Sequence, residues 1–138
     1  MADKVHFEIV TPSKLLTAEE ADMVVVPGDD GDFGVLPGHS PLLSSVRPGV
    51  IDVHEDGAVR TRYFIAGGFA EVDSEKCVVL ADEAMAVSDL DKTAAQQRLE
   101  TAQQALMDAG GVELAQKNAQ AEVVRAEAMV AAAEGPAA

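Results

Sequence analysis

His39 and Ser40 follow a run that carries Asp29, Asp30 and Asp32, so the first chemistry to weigh is a hydroxyl activated by an imidazole. Such a relay needs a nucleophile, a base within hydrogen-bond reach and a third group that orients the base in space. Sequence neighbours rarely supply that arrangement, and the chain has no Gly-x-Ser-x-Gly elbow. The setting of His39 between Gly38 and Pro41 predicts instead that it bonds to turn backbone or meets a partner. A small β enzyme with His39 as general base stands as the alternative.

The same segment is a poor metal or phosphate site. Asp29-Asp30-Gly31-Asp32 lacks the alternating carboxylates and the closing Glu of a calcium loop. His6, His39 and His54 are scattered and have no helical ligand spacing, so zinc has no support. Gly28, Gly31 and Gly34 recur every third residue, which is not a dinucleotide fingerprint, and the carboxylates beside them would repel phosphate. No cofactor is expected.

These residues sit in a stretch, Gly28 to Leu43, that holds four glycines and two prolines. Glycine admits positive φ and close backbone approach, and proline fixes φ, so the stretch reads as a loop held in one shape. Its acidic tip would face solvent or a partner, and Leu42-Leu43 would anchor its far end in the core.

Strands must position that loop. Val5 to Val10 alternates apolar and polar residues, Leu15-Leu16 suggests a short strand, and Ala21 to Val26 another. Leu42 to Val46, Val50 to His54, Val59 to Ala66, Phe69 to Val72 and Cys77 to Leu80 continue the series, with Glu55-Asp56-Gly57 as a hairpin turn. Gly67-Gly68 marks a bulge or tight crossing. Many short strands with turn signals between them predict an all-β domain, an antiparallel β-sandwich of about ten strands, over residues 1–85.

From residue 86 to 138 the composition shifts to Ala and Gln. Ser88 reads as an N-cap with Asp91 completing a capping-box-like pair. Leu90, Ala94, Ala95, Leu99, Ala102 and Leu106 form one helical stripe, and Gly110-Gly111 ends it. A second helix over about Val112 to Glu134 has Ala115, Ala119, Val123, Ala126, Val130 and Ala133 as its seam. The two predict an antiparallel helical hairpin with a frayed tail at residues 135–138. A buried methylene is worth roughly 0.8 kcal/mol, so an alanine seam holds weakly and the second helix could detach. An Ala-rich helix stable by propensity alone explains the same residues.

Composition excludes several classes. The 138 residues are 48% hydrophobic but only 4% aromatic and contain no Trp, so the core must be aliphatic. A formal net charge of -14 is wrong for a nucleic-acid surface and for an anionic bilayer. The single cysteine, Cys77, lies in an apolar run and reads as a small buried hydrophobe. No basic leader or membrane-spanning run is evident, so the expected state is soluble, with any membrane association made through protein partners.

Asp30 to Leu43 resembles the acidic-Gly-Glu-Leu-Gly-Ile-x-Pro-Gly-His-x-Pro-Leu-Leu stretch of the epsilon subunits of rotary F-type ATP synthases. Arg47-Pro48-Gly49 is similar to that family's Lys-Pro-Gly turn, Ala66 to Val72 to its Ser-Gly-Gly-x-x-Glu-Val, and Val79 to Asp82 to its Val-Leu-Ala-Asp. Together with the helix pair, the resemblance covers essentially the whole chain. It implies a ten-stranded sandwich and two helices in the central stalk, with no catalytic site. The partners it implies are the gamma subunit, the c-ring and, through the helices, the alpha and beta subunits. The place it implies is the cytoplasmic face of the bacterial inner membrane, peripheral and not inserted. Asp30, Gly31 and Asp32 would face the c-ring, and His39, Ser40, Pro41 and Leu42 would lie on or near gamma.

Two departures from the family pattern bear on function. Some members bind ATP through Ile/Leu-Asp-x-x-Arg-Ala. Here Leu90 and Asp91 are kept but Ala94 replaces the Arg, which removes the charge partner of a nucleotide. A free nucleotide-sensing module is therefore a further alternative with little support. Inhibitory members carry many basic residues on the helices. This chain has Lys92, Arg98, Lys117 and Arg125 there among a larger number of carboxylates, which predicts weak or absent inhibition of hydrolysis.

Overall fold

The computed structural model describes residues 3–135. The frayed tail expected at residues 135–138 lies outside them except for Gly135. Ten strands come first: β1 (Val5–Val10), β2 (Leu15–Ala21), β3 (Met23–Gly28), β4 (Gly31–Val35), β5 (Leu42–Val46), β6 (Gly49–Glu55), β7 (Ala58–Ile65), β8 (Gly68–Val72), β9 (Lys76–Ala81) and β10 (Ala84–Ala86). A 3-10 turn at Val87–Asp89 leads to helices α1 (Lys92–Asp108) and α2 (Glu113–Glu134).

Strand order is β10-β7-β6-β3-β5-β8-β9-β1-β2, with β4 paired to β3. The sheet folds over so that its two ends face each other. Tyr63 of β7 donates to Glu19 of β2 at 2.7 Å, and its ring lies 6.2 Å from that of Phe7 in β1. Between the layers sit fully buried Val5, Phe7, Ile9, Val24, Val26, Val35, Ile51, Val53, Ile65 and Val79. This is the aliphatic core that the composition demands. Cys77 is buried there, and desolvation pushes its thiol up to about 12, so it is an inert hydrophobe.

The pairings are antiparallel except that β1 runs parallel to β9. The β6–β7 hairpin closes in two residues, Asp56 at φ 54 and Gly57 at φ 80, a conformation that suits the twist of the flanking strands. Gly68 is a tight crossing, as its sequence context predicts. A Cβ built there would sit 2.0 Å from the Leu80 carbonyl oxygen.

Four local expectations are corrected. The strand expected at Leu15-Leu16 runs on to Ala21, because Thr17 to Ala21 pairs with the length of β1 despite its poor strand propensity. The Gly28-to-Leu43 stretch is not one loop: Gly31–Val35 forms β4 and pairs with β3 from Val24 to Gly28. Leu42 and Leu43 do not anchor it in the core, being 38% and 71% exposed. Ser88 does not cap α1, because Leu90 is extended and the helix starts after Asp91, whose carboxylate accepts from Thr93 N at 2.9 Å.

The hairpin packs on the outer face of β6 and β7. Phe64, Ala66, Ala95, Met129 and Ala132 form a second, smaller core there. On α2 the buried positions are Ala119, Val123, Ala126, Met129 and Ala132, and Val130 and Ala133 of the expected seam are partly buried against the second core. Ala94 and Ala115 of the expected seams are exposed. Gly110, at φ 55, carries the reversal between the helices.

Candidate interaction surfaces

The acidic tip is a two-residue turn. Gly28 pairs with Gly31, and Asp29 and Asp30 are exposed between them. Gly31 takes φ 130, which relieves the closure of the turn. Arg47, at the β5–β6 corner, holds this turn from the side. Its Nη1 donates to the Gly28 carbonyl at 2.6 Å and its Nη2 to Asp32 Oδ1 at 2.5 Å. Its backbone N–H donates to Pro27 O at 2.9 Å, and Asp29 N–H donates to Ser45 O at 3.0 Å. The β3 limb of the turn is held by backbone bonds to Ser45 and Arg47, and the β4 limb by the Arg47 side chain.

His39 has a local role. Its Nδ1 lies 2.6 Å from the carbonyl oxygen of Ser40, so that nitrogen carries the proton and donates. Its backbone N–H donates to Leu36 O, and Gly38 N–H to Ser74 O. Asp32 is held by Arg47 rather than by the imidazole, so the residues a relay would need are not brought together. Ser40, Pro41 and Leu42 are exposed on the same loop and strand start. Asp91 is committed to capping α1, and Leu90 packs against the second core.

One surface goes beyond the sequence expectations. Ser45 on β5, Phe69 on β8, Leu80 on β9 and Val10 on β1 stand in register as one row on the outward side of the sheet, and Leu43, Glu71, Val78 and Glu8 form the next. Phe69 is 53% exposed and Leu80 51%. Two large apolar side chains therefore stand exposed side by side on this face. The signal for it is in the sequence: by alternation Phe69, Val78 and Leu80 fall on the outward face of Gly68–Val72 and Lys76–Ala81, beside Glu71 and Lys76.

Further along the outward face, His6 lies between two carboxylates, 2.9 Å from Glu20 through Nδ1 and 2.7 Å from Glu8 through Nε2. Those bonds, Glu20 first, raise its pKa above 6.5. Among the described residues no group of three or more His, Cys, Asp or Glu is placed to hold a metal ion, and no helix is long and apolar enough to cross a membrane.

Residues 4–87 match the family model described as the ATP synthase, Delta/Epsilon chain, beta-sandwich domain. The chain belongs to the ATP synthase delta/epsilon family. It is 49% identical over 135 residues to the ATP synthase epsilon chain of Rhodospirillum rubrum, covering 98% of this chain and 100% of that one. With the epsilon chain of Paramagnetospirillum magneticum it shares 52% identity over 109 residues, 79% of this chain and 82% of that one. A chain in the solved mitochondrial ATP synthase of Euglena gracilis (OSCP/F1/c-ring) has the same fold, with a TM-score of 0.78 at 22% identity over 94% of this chain and 81% of its own. An epsilon chain is a non-catalytic subunit of the ATP synthase rotor, which agrees with a His39 that touches only backbone among the described contacts. The reading of this chain as a β enzyme is set aside.

Proposed function

We propose that this epsilon-type chain is a mechanical coupler that grips two rotor components at once. The outward row of Phe69 and Leu80, with Leu43 in the row beside it and the loop from His39 to Leu42, binds the gamma subunit. The turn from Asp29 to Asp32 rests on the polar loops of the c-ring. Torque passes through these contacts without covalent chemistry. The ion carried is set by the c subunits.

The observation that carries this reading is the exposure of Phe69 and Leu80 in register on a rigid sheet, at 53% and 51%. A partner that buries them gains roughly 25 cal/mol per Å² of apolar surface covered. The net charge of -14 supports a basic or hydrogen-bond-donating partner at the acidic turn and argues against direct contact with lipid. The working location is therefore peripheral, on the cytoplasmic face of a bacterial inner membrane, as part of F1. The helical hairpin faces the alpha and beta subunits and contributes little inhibition.

The test is complementation. Membrane vesicles carrying a synthase stripped of its epsilon chain should recover proton-driven ATP synthesis when this chain is added. If the chain joins the complex and synthesis stays absent, or if it fails to join, the reading is wrong.

A further inference from the structure

His6 is the one imidazole with a carboxylate on each ring nitrogen among the described residues: Glu20 of β2 lies 2.9 Å from Nδ1 and Glu8 of β1 2.7 Å from Nε2. An ionised carboxylate only accepts, and a proton shared with it rests on the stronger base, the ring. Both nitrogens must therefore donate, and only the imidazolium carries two N–H groups. The same two bonds, Glu20 first, hold its proton above the ordinary histidine value of 6.5.

The ring bridges a weak place in the sheet. β2 is an end strand whose ladder partner is β1, and its Thr17 to Ala21 stretch has poor strand propensity. On its other side it is held by side chains of β7, Arg60 donating to the Glu20 carbonyl at 3.1 Å and Tyr63 to Glu19 at 2.7 Å. His6 and Glu20 are direct partners across the β1–β2 ladder, so their bond spans the two strands. Lys76 of β9 stands opposite His6 in register and opposes the second ring proton, while Glu75 before it accepts the His6 backbone N–H through its carbonyl. Lys4 of β1 is taken up by Asp22 and Glu55. Carboxylates thus face the ring from β1 and β2, and a cation from β9.

We propose that Glu8, His6 and Glu20 form a proton-operated clip that fastens the end strand β2 to β1. When the ring loses one proton, a single N–H is left between two carboxylates, one of them loses its partner, and β2 loosens from the sheet. The stabilisation is complete below 6.5 and is lost as pH rises through the higher folded value. His6, Glu8 and Glu20 are 37%, 31% and 60% exposed, so the effect is a local loosening and not a melting of the domain. Glu8 also ends the outward row of Leu43, Glu71 and Val78, so the same proton sets the charge at the edge of that face. The clip is independent of the gamma and c-ring contacts.

The test follows the full chain by NMR, reading the ring nitrogens of His6 and backbone amide exchange across a pH titration. At pH 6.5 both nitrogens should be mostly protonated, with the midpoint above that value. As the ring titrates, protection of the β2 amides should fall by about 3-fold, the scale of one partly exposed charge pair, while β6 and β7 hold. Glu20→Gln should lower the midpoint more than Glu8→Gln and should remove the step in β2. His6→Gln should hold β2 at the lower protection at every pH, with no step. Thermal melting checks that each variant folds, and Glu20→Gln carries the test if His6→Gln does not. A midpoint at or below 6.5 removes the imidazolium and overturns the clip. A raised midpoint with unchanged β2 protection overturns it as well, as does a step that survives in His6→Gln.

Discussion

Arg98 of α1 donates from Nη1 to Glu83 in the β9–β10 connection at 2.8 Å, a direct polar tie between the helical hairpin and the sandwich. The same guanidinium donates from Nε to Glu122 of α2 at 2.6 Å, so one side chain joins three elements. The apolar contact beneath it is small, built on Phe64, Ala66, Ala95, Met129 and Ala132. The clamp adds a polar tie to the hairpin's small apolar seam.

Arg98→Gln should therefore loosen the hairpin and leave the sandwich intact. The expected cost is about 1–2 kcal/mol for a partly exposed, charge-assisted pair. Hydrogen exchange should rise across α1 and α2 with β1 to β9 unchanged. The pH dependence has a definite sign. The bond from Arg98 holds the Glu122 carboxyl below its ordinary value of 4.5. Its stabilisation is complete above that value and is lost as pH falls through the lower folded value. Acidification through that lower folded value should weaken the tie between the hairpin and the sandwich, read as faster hydrogen exchange in α1 and α2.

Gly68→Ala should damage the sandwich itself. The new methyl would meet the Leu80 carbonyl at 2.0 Å, with the backbone at φ 150. The β8–β9 ladder would have to part, at a cost of about 3–5 kcal/mol. Chemical denaturation of the full chain measures it. A loss below about 1 kcal/mol would mean that the crossing relaxes easily.

Removing residues 89–138 should change ATP hydrolysis by the complex less than about 2-fold, since exposed charges steer weakly. Arg98 and Arg125 are both engaged by Glu122, which leaves Lys92 and Lys117 as the helices' cations outside the ion pairs of the described residues. Few basic groups remain to grip an acidic partner. A strong rise in hydrolysis after the truncation would contradict this.

Calorimetry of the isolated chain with Mg-ATP at millimolar concentration should show no binding. Asp91 is occupied as the cap of α1, and Ala94 offers no guanidinium. Saturable heat would mean that the Leu90-Asp91 motif holds a nucleotide without its arginine.

Sequence and structure agree where one physical signal dominates. Alternation in Val5 to Val10 and the Asp56-Gly57 turn specify their elements alone, and Gly110-Gly111 ends α1 as its chemistry requires. They part where tertiary context rules. Thr17 to Ala21 becomes a strand only because β1 lies beside it, and Glu19 is tolerated there because Tyr63 donates to it. Leu42-Leu43 has the pattern of a core anchor, but an apolar pair in sequence does not reveal whether its covering layer belongs to the same chain. The Arg47 brace links positions fifteen or more residues apart, and no local pattern announces it.

The most direct test of the coupler reading is the affinity of the full chain for its gamma subunit, measured for the unaltered chain and for Phe69→Glu and Leu80→Glu. Both side chains point outward, so the variants should melt near the unaltered temperature while binding falls by at least about 10-fold, as expected for apolar anchors at the centre of an interface. Undiminished binding by folded variants, or an unaltered chain that does not bind gamma, would contradict the account.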